Sequence, residues 1–185
     1  MVSMHSHKQD SAILEEAEDA RMARLVGELA DRGPATRERA REALVALGKP
    51  AVPLLIQLLS HHKPHVRWEA AKALGGIADP IAATALVNAL EDPDGDVRWL
   101  AAEGLTALRL EGVQPLLAAL LERAQSSWLC QSAHHVLHTL ARKRRLGAIL
   151  RPVLAALDKP EPQVGVPLAA YAALSKLREL PFFYG

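Results

Sequence analysis

The 185-residue chain carries 22 Lys and Arg against 21 Asp and Glu, a net charge of +1, with 50% hydrophobic but only 4% aromatic residues. The balanced charge excludes a polyelectrolyte tail and nucleic-acid binding driven by net charge alone, and the apolar content excludes wholesale disorder. A lone cysteine, Cys130, excludes an internal disulfide framework and a multi-cysteine zinc finger. No apolar run reaches the roughly 18 residues of a membrane span, and the first residues lack the apolar core of a signal peptide, so a soluble cytoplasmic protein is expected. With seven rings in all (three Trp, two Tyr, two Phe), the core must be built from Ala, Leu and Val. That points to closely packed helices.

In chain order, residues 1–10 read as a disordered N-terminus and residues 11–33 as a capping helix with an acidic first turn. From there the chain repeats itself. VRWEAAKAL at 66–74 returns as VRWLAAEGL at 97–105, a shift of 31 residues. Apolar positions carry the repeat further, through Ala40, Ala70, Ala101, Ala133 and Ala170, and through Leu44, Leu74, Leu105, Leu137 and Leu174, with successive shifts of 30, 31, 32 and 37. Positions three and four apart within each copy form one helix face. Each unit reads as two helices, 64–78 and 80–91 in the second copy, separated by Asp79-Pro80 and followed by Asp92-Pro93-Asp94-Gly95-Asp96, where an Asp can cap the next helix. The fifth copy has one helix, 162–178. Residues 179–185 hold Leu180-Pro181-Phe182-Phe183-Tyr184, an aromatic tail that suits either a cover over the last repeat or a weak homodimer contact of an otherwise monomeric chain. No segment alternates at period two, so the fold class is all-α. A two-helix unit of about 31 residues cannot bury its apolar stripe alone, and neighbours must stack into a solenoid.

The pattern Asp-x-x-Val-Arg-x-x-Ala-Ala-x-x-Leu, followed by Pro-Leu-Leu-x-x-Leu, resembles the HEAT repeats of the phycobilisome-lyase type over residues 34–178, most closely at 64–123. The resemblance implies a right-handed α-α superhelix, armadillo-like, of about four and a half repeats with an extra N-terminal helix. It implies a scaffold binding other proteins on a concave face, and no lyase activity. It also implies that Arg37, Arg67 and Arg98 join polar contacts between neighbouring repeats. With Cys130 and Pro167 at the equivalent positions, that ladder should stop after the third repeat.

Successive residues 100° apart place Val66, Ala70, Ala73, Leu74 and Ile77 in one arc and Trp68 nearly opposite, with Trp99 in the same place one repeat later. In proteins of the resembled family that side lines the groove. The candidate partner-binding set is therefore Glu38, Arg39, Glu42, Trp68, Glu69, Lys72, Trp99, Leu100, Glu103, Gln131 and His135. Two indoles one repeat apart suit an anchor pair for a protein or peptide partner. The competing reading is that they pack on long neighbouring side chains. Trp128 falls at an N-cap position and reads as end packing.

Chemistry-bearing constellations are weak. Cys130, His134 and His138 lie four apart on a helix, a spacing that zinc ligands use, but His135 stands where a metalloprotease needs Glu. The expectation is structural histidines with no resident metal or cofactor. Asp92, Asp94, Asp96 and Glu103 match part of a calcium loop, but Val97 replaces its glycine. No phosphate loop and no nucleophilic triad is readable, so no enzyme is expected. Arg142-Lys143-Arg144-Arg145 is the one dense basic run, comfortable at a helix C-terminus; it carries the alternative of nucleic acid or another acidic partner.

Overall fold

The computed structural model describes residues 3–142 and 144–179, with side-chain surroundings for 16–142 and 145–179. The aromatic tail 180–185 and Lys143 lie outside the described residues. Helix α1, Ser3–Glu28, starts well before residue 11, so the stretch read as disordered is helical from Ser3 onward. No proline, and no glycine before Gly27, interrupts that stretch.

Eight further helices of the repeats follow in pairs: α2 Pro34–Leu47 and α3 Val52–Leu58, α4 Pro64–Ile77 and α5 Ala83–Ala89, α6 Gly95–Leu108 and α7 Leu110–Arg123, α8 Ser127–Leu140 and α9 Arg144–Leu157. Helix α10, Pro162–Arg178, ends the series. All described regular structure is helical, and the helix pairs stack as an α-solenoid. Local chemistry sets the boundaries. Pro34, Pro64 and Pro162 open their helices, where a missing N–H costs little. Asp94 Oδ1 accepts from the N–H groups of Asp96 (2.9 Å) and Val97 (3.3 Å) and so caps α6. Asp79 caps the 3-10 turn Pro80–Ala82 that leads into α5. Ser126, not Trp128, is the N-cap of α8.

The first helices of the units form a row, α2 on α4, α4 on α6 and α6 on α8, with α3 and α5 packed behind. One apolar cluster runs from Leu25 and Leu29 to Ala173 and Leu177. It is built as the composition requires, from Leu, Ala and Val, and the described rings sit at its margin or outside it. Small residues set the spacing: a Cβ on Gly75 of α4 would lie 3.2 Å from the Cα of Gly104 on α6. Close backbone approach there leaves little room for side chains between the two helices.

The last copy departs from the row. Helix α10 buries Val166, Ala170, Ala173 and Leu177, but it packs mainly on α7 and α9 instead of continuing the row on α8. The second helices lengthen here: α7 and α9 have 14 residues each against seven for α3 and α5, and α10 lies against both. The displaced α10 leaves a groove of about 780 Å³ between the N-terminal half of α8 and the α9–α10 junction, with Trp128, Gln131, His134 and Asp158 on its walls.

Two glycine substitutions separate sterics from propensity. A Cβ on Gly112 would sit 2.7 Å from the Leu105 carbonyl oxygen, whereas nothing lies within 4 Å of one on Gly27. Gly112→Ala should lower unfolding stability by about 1–3 kcal/mol despite alanine's better helix propensity. Gly27→Ala should raise it by up to about 1 kcal/mol. Urea denaturation of both variants checks the pair.

Candidate functional site

The row of α2, α4, α6 and α8 is held by the arginines of the repeat. Each sends Nη1 back to two carbonyls of the junction before its helix: Arg37 to Asp31 and Arg32 (both 3.1 Å), Arg67 to His61 and His62 (3.0 and 3.4 Å), Arg98 to Asp92 and Pro93 (2.6 and 3.2 Å). Junction carbonyls have no partner within a helix, so these bonds tie the start of one helix to the connection that precedes it. The other side of each guanidinium reaches toward the next unit. Arg37 Nε donates to Glu69 (3.2 Å), and Arg67 grips Asp92 with two bonds of 2.7 and 2.8 Å. Arg98 instead lies over the indole of Trp128, 4.8 Å from its ring centre. The paired Asp92 carboxylate holds Arg67 above the ordinary guanidinium pKa.

The ladder does not end in an empty rung. Cys130 occupies the fourth position, and its thiol donates to the carbonyl of Ala124 at 3.2 Å, the same six-residue reach back as the first carbonyl of each arginine. Burial, and then the negative Glu91, push this thiol above its ordinary pKa. Here the side chain of Cys130 is a structural donor, turned to a carbonyl.

The candidate partner-binding residues separate once their surroundings are seen. Glu69 is buried, bonded to Arg37 and, at 2.6 Å, to the equally buried Arg41. Leu100 is buried in the apolar cluster. Neither faces a partner, and both leave the set: a helix that stacks on both sides has a narrower free arc than an isolated wheel suggests. Trp68 is half-buried against the cluster, with Lys72 Nζ 4.6 Å and Arg41 Cζ 5.8 Å from its ring centre. It packs on long neighbouring side chains. Trp99 is different, with 57% of its surface exposed. It lines a hollow of about 310 Å³ with Ala71, Lys72, Gly75, Glu103 and Ala107, over the Gly75–Gly104 approach. Glu38, Arg39, Glu42, Lys72, Glu103, Gln131 and His135 are exposed. Of these, Arg39 bonds the Ala35 carbonyl, Glu38 meets Arg41 at 3.3 Å, and His135 Nε2 meets Glu103 Oε1 at 3.0 Å.

The histidines and acids of the weaker constellations have other partners. His134 Nε2 lies 3.0 Å from Asp158, and its ring stacks on His138 with centres 5.9 Å apart. Among the described residues no group of three His, Cys, Asp or Glu side chains is placed to hold a metal ion. Asp92 and Asp94 serve the Arg67 pair and the α6 cap. His61 Nδ1 accepts the Lys63 N–H at 3.1 Å, and burial, followed by nearby His62, Lys63 and His65, pushes its pKa below the ordinary value. In the basic run Arg142 and Arg145 are exposed. Sequence reasoning missed Arg41, which braces both Glu69 and Trp68, and the Arg98–Trp128 stack. The signal for Arg41 was its position one turn after Arg37 on the same face.

Residues 22–106 match the family model described as HEAT repeats. That stretch carries HEAT repeats. Among solved structures it resembles the complex of CpcE and CpcF of phycocyanin lyase from Nostoc sp. PCC7120, at 23% identity and a TM-score of 0.54, covering 81% of this chain and 98% of that one. A designed armadillo repeat protein, YIII(Dq)4CqI, aligns at 18% identity and a TM-score of 0.43, covering 89% of this chain and 85% of that one. At this level of identity the first likeness speaks for the fold alone. No curated protein matches the chain in sequence. No described helix is long and apolar enough to cross a membrane.

Two measurements check the ladder. Asp92→Ala leaves the buried Arg67 guanidinium without its carboxylate and should cost about 3–5 kcal/mol of unfolding stability. Loss of less than about 1 kcal/mol would mean that the pair does not hold the junction. The Cys130 thiol should react with a disulfide reagent at pH 8 far more slowly in the folded chain than in urea, because burial disfavours its thiolate.

Proposed function

We propose that this HEAT-repeat chain is a non-catalytic interaction scaffold that binds a protein or peptide segment across α4 and α6, anchored at Trp99. One observation carries the reading. Trp99 stands open beside a hollow floored by glycine and alanine, with Lys72 and Glu103 at its border. An indole that the fold does not need for packing, held on a helix fixed from both sides, can be covered by a partner at little cost in ordering. The opposite charges at the border favour a segment with both an acidic and a basic residue flanking its apolar anchor. The buried Glu69, Arg41 and Arg67 keep the helices in place and stand outside the contact.

The two tryptophans supply the test. Trp99→Ala should leave the helical circular-dichroism spectrum and the unfolding midpoint nearly unchanged while weakening partner capture at least about 30-fold, the scale of a hot-spot loss of 2 kcal/mol or more. Trp68→Ala should instead lower stability, because it uncovers Arg41 and part of the apolar cluster. Unchanged capture by the Trp99 variant would remove the proposed anchor.

A further inference from the structure

Six large apolar side chains are exposed among the described residues, and three of them, Val164, Leu168 and Tyr171, lie on α10. Their exposures are 72%, 74% and 63%, on the side of the helix away from the buried Val166, Ala170, Ala173 and Leu177. Extended by Glu161, Ser175 and Arg178, they make a row with spacings of three, four, three, four and three residues. That is the spacing of a two-helix seam, apolar at its centre, acidic at one end and basic at the other.

The row complements itself when turned end for end. About the midpoint between Ala169 and Ala170, Leu168 falls opposite Tyr171, Val164 opposite Ser175, and Glu161 opposite Arg178. We propose that the occupant of this face is a second copy of the chain, with two α10 helices packed antiparallel across a two-fold axis. Each seam position then meets a compatible partner, and the charged pair is made twice. The Ser175 hydroxyl already donates to the Tyr171 carbonyl at 3.1 Å, so covering it strands no hydrogen bond. A parallel arrangement would set Glu161 against Glu161 and Arg178 against Arg178, and would align the two helix dipoles unfavourably. The exposed ion pairs set direction, and the apolar centre supplies the attraction.

A seam along the 17-residue α10 is about 25 Å long and one helix wide, below the size of a standard permanent interface. The dimer is therefore reversible and concentration-dependent. It is also separate from the Trp99 hollow, since α10 packs mainly on α7 and α9 while the hollow lies on α4 and α6. Trp99→Ala should leave self-association untouched.

Sedimentation equilibrium of the full chain from roughly 1 to 300 μM reads the proposal directly. The expected result is a monomer–dimer equilibrium, with Leu168→Glu monomeric throughout and its helical circular dichroism unchanged. Glu161→Arg or Arg178→Glu alone should weaken self-association about tenfold, and the double exchange should restore it to within about threefold. A wild-type chain that stays monomeric would overturn the proposal, and would point to residues 180–185 or another protein as the cover. So would a dimer that survives Leu168→Glu, or a double exchange that restores nothing.

Discussion

A guanidinium taken out of water must find partners for nearly all of its N–H groups, and in this chain that requirement fixes the repeat junctions. Arg67 is the clearest case, buried and bonded to the carbonyls of His61 and His62 on one side and to both oxygens of Asp92 on the other. Those partners come from the connection before its helix and from the connection into the next unit. Moving either junction would strand a buried charge, which costs more than most single contacts provide. Arg37 and Arg98 repeat the backward half of the arrangement, and Cys130 keeps one bond of it with a smaller, weaker donor. With the junctions set, α4 and α6 can approach as closely as Gly75 and Gly104 allow.

The same ladder decides which side chains are left for a partner. Glu69 is consumed by Arg37 and Arg41, and Trp68 is covered by Arg41 and Lys72. One unit later Arg98 turns to Trp128, and Trp99 keeps an open face. Two copies of one sequence motif thus end in different states because Ala71 and Glu103 stand beside Trp99 at the repeat positions that Arg41 and Lys72 hold beside Trp68. At α8 the ladder thins to a thiol, and past it the row itself stops, with α10 leaning on the longer α7 and α9.

Much of the architecture was legible in the sequence. The 31-residue shift, the Asp79-Pro80 break and the Asp-rich junction located the paired helices, and an aromatic-poor composition foretold a core of Leu, Ala and Val. The arginine ladder followed from the family resemblance. The candidate face was legible only in part. A helical wheel treats Glu69 and Leu100 as neighbours of the indoles, but it cannot show that a long Arg41 reaches over from α2 or that α4 and α6 nearly touch. Those depend on contacts between units. The course of α10 was hidden for a related reason: its buried positions keep the repeat's spacing while their partners belong to α7 and α9. The row Glu161 to Arg178 was readable from the spacing, yet only the observed exposure distinguishes it from a second buried face.

The central claim is that the ladder presents Trp99, and not its counterpart Trp68, to a partner on the face of α4 and α6. Site-specific photocrosslinking in the native host tests it most directly, with a benzophenone side chain at Ala107 beside the Trp99 hollow and a control at exposed Gln57 on α3. The account predicts a discrete crosslinked product from position 107 that disappears when Trp99→Ala is added, and none from position 57. The same product from both positions, or one from position 57 alone, would contradict it.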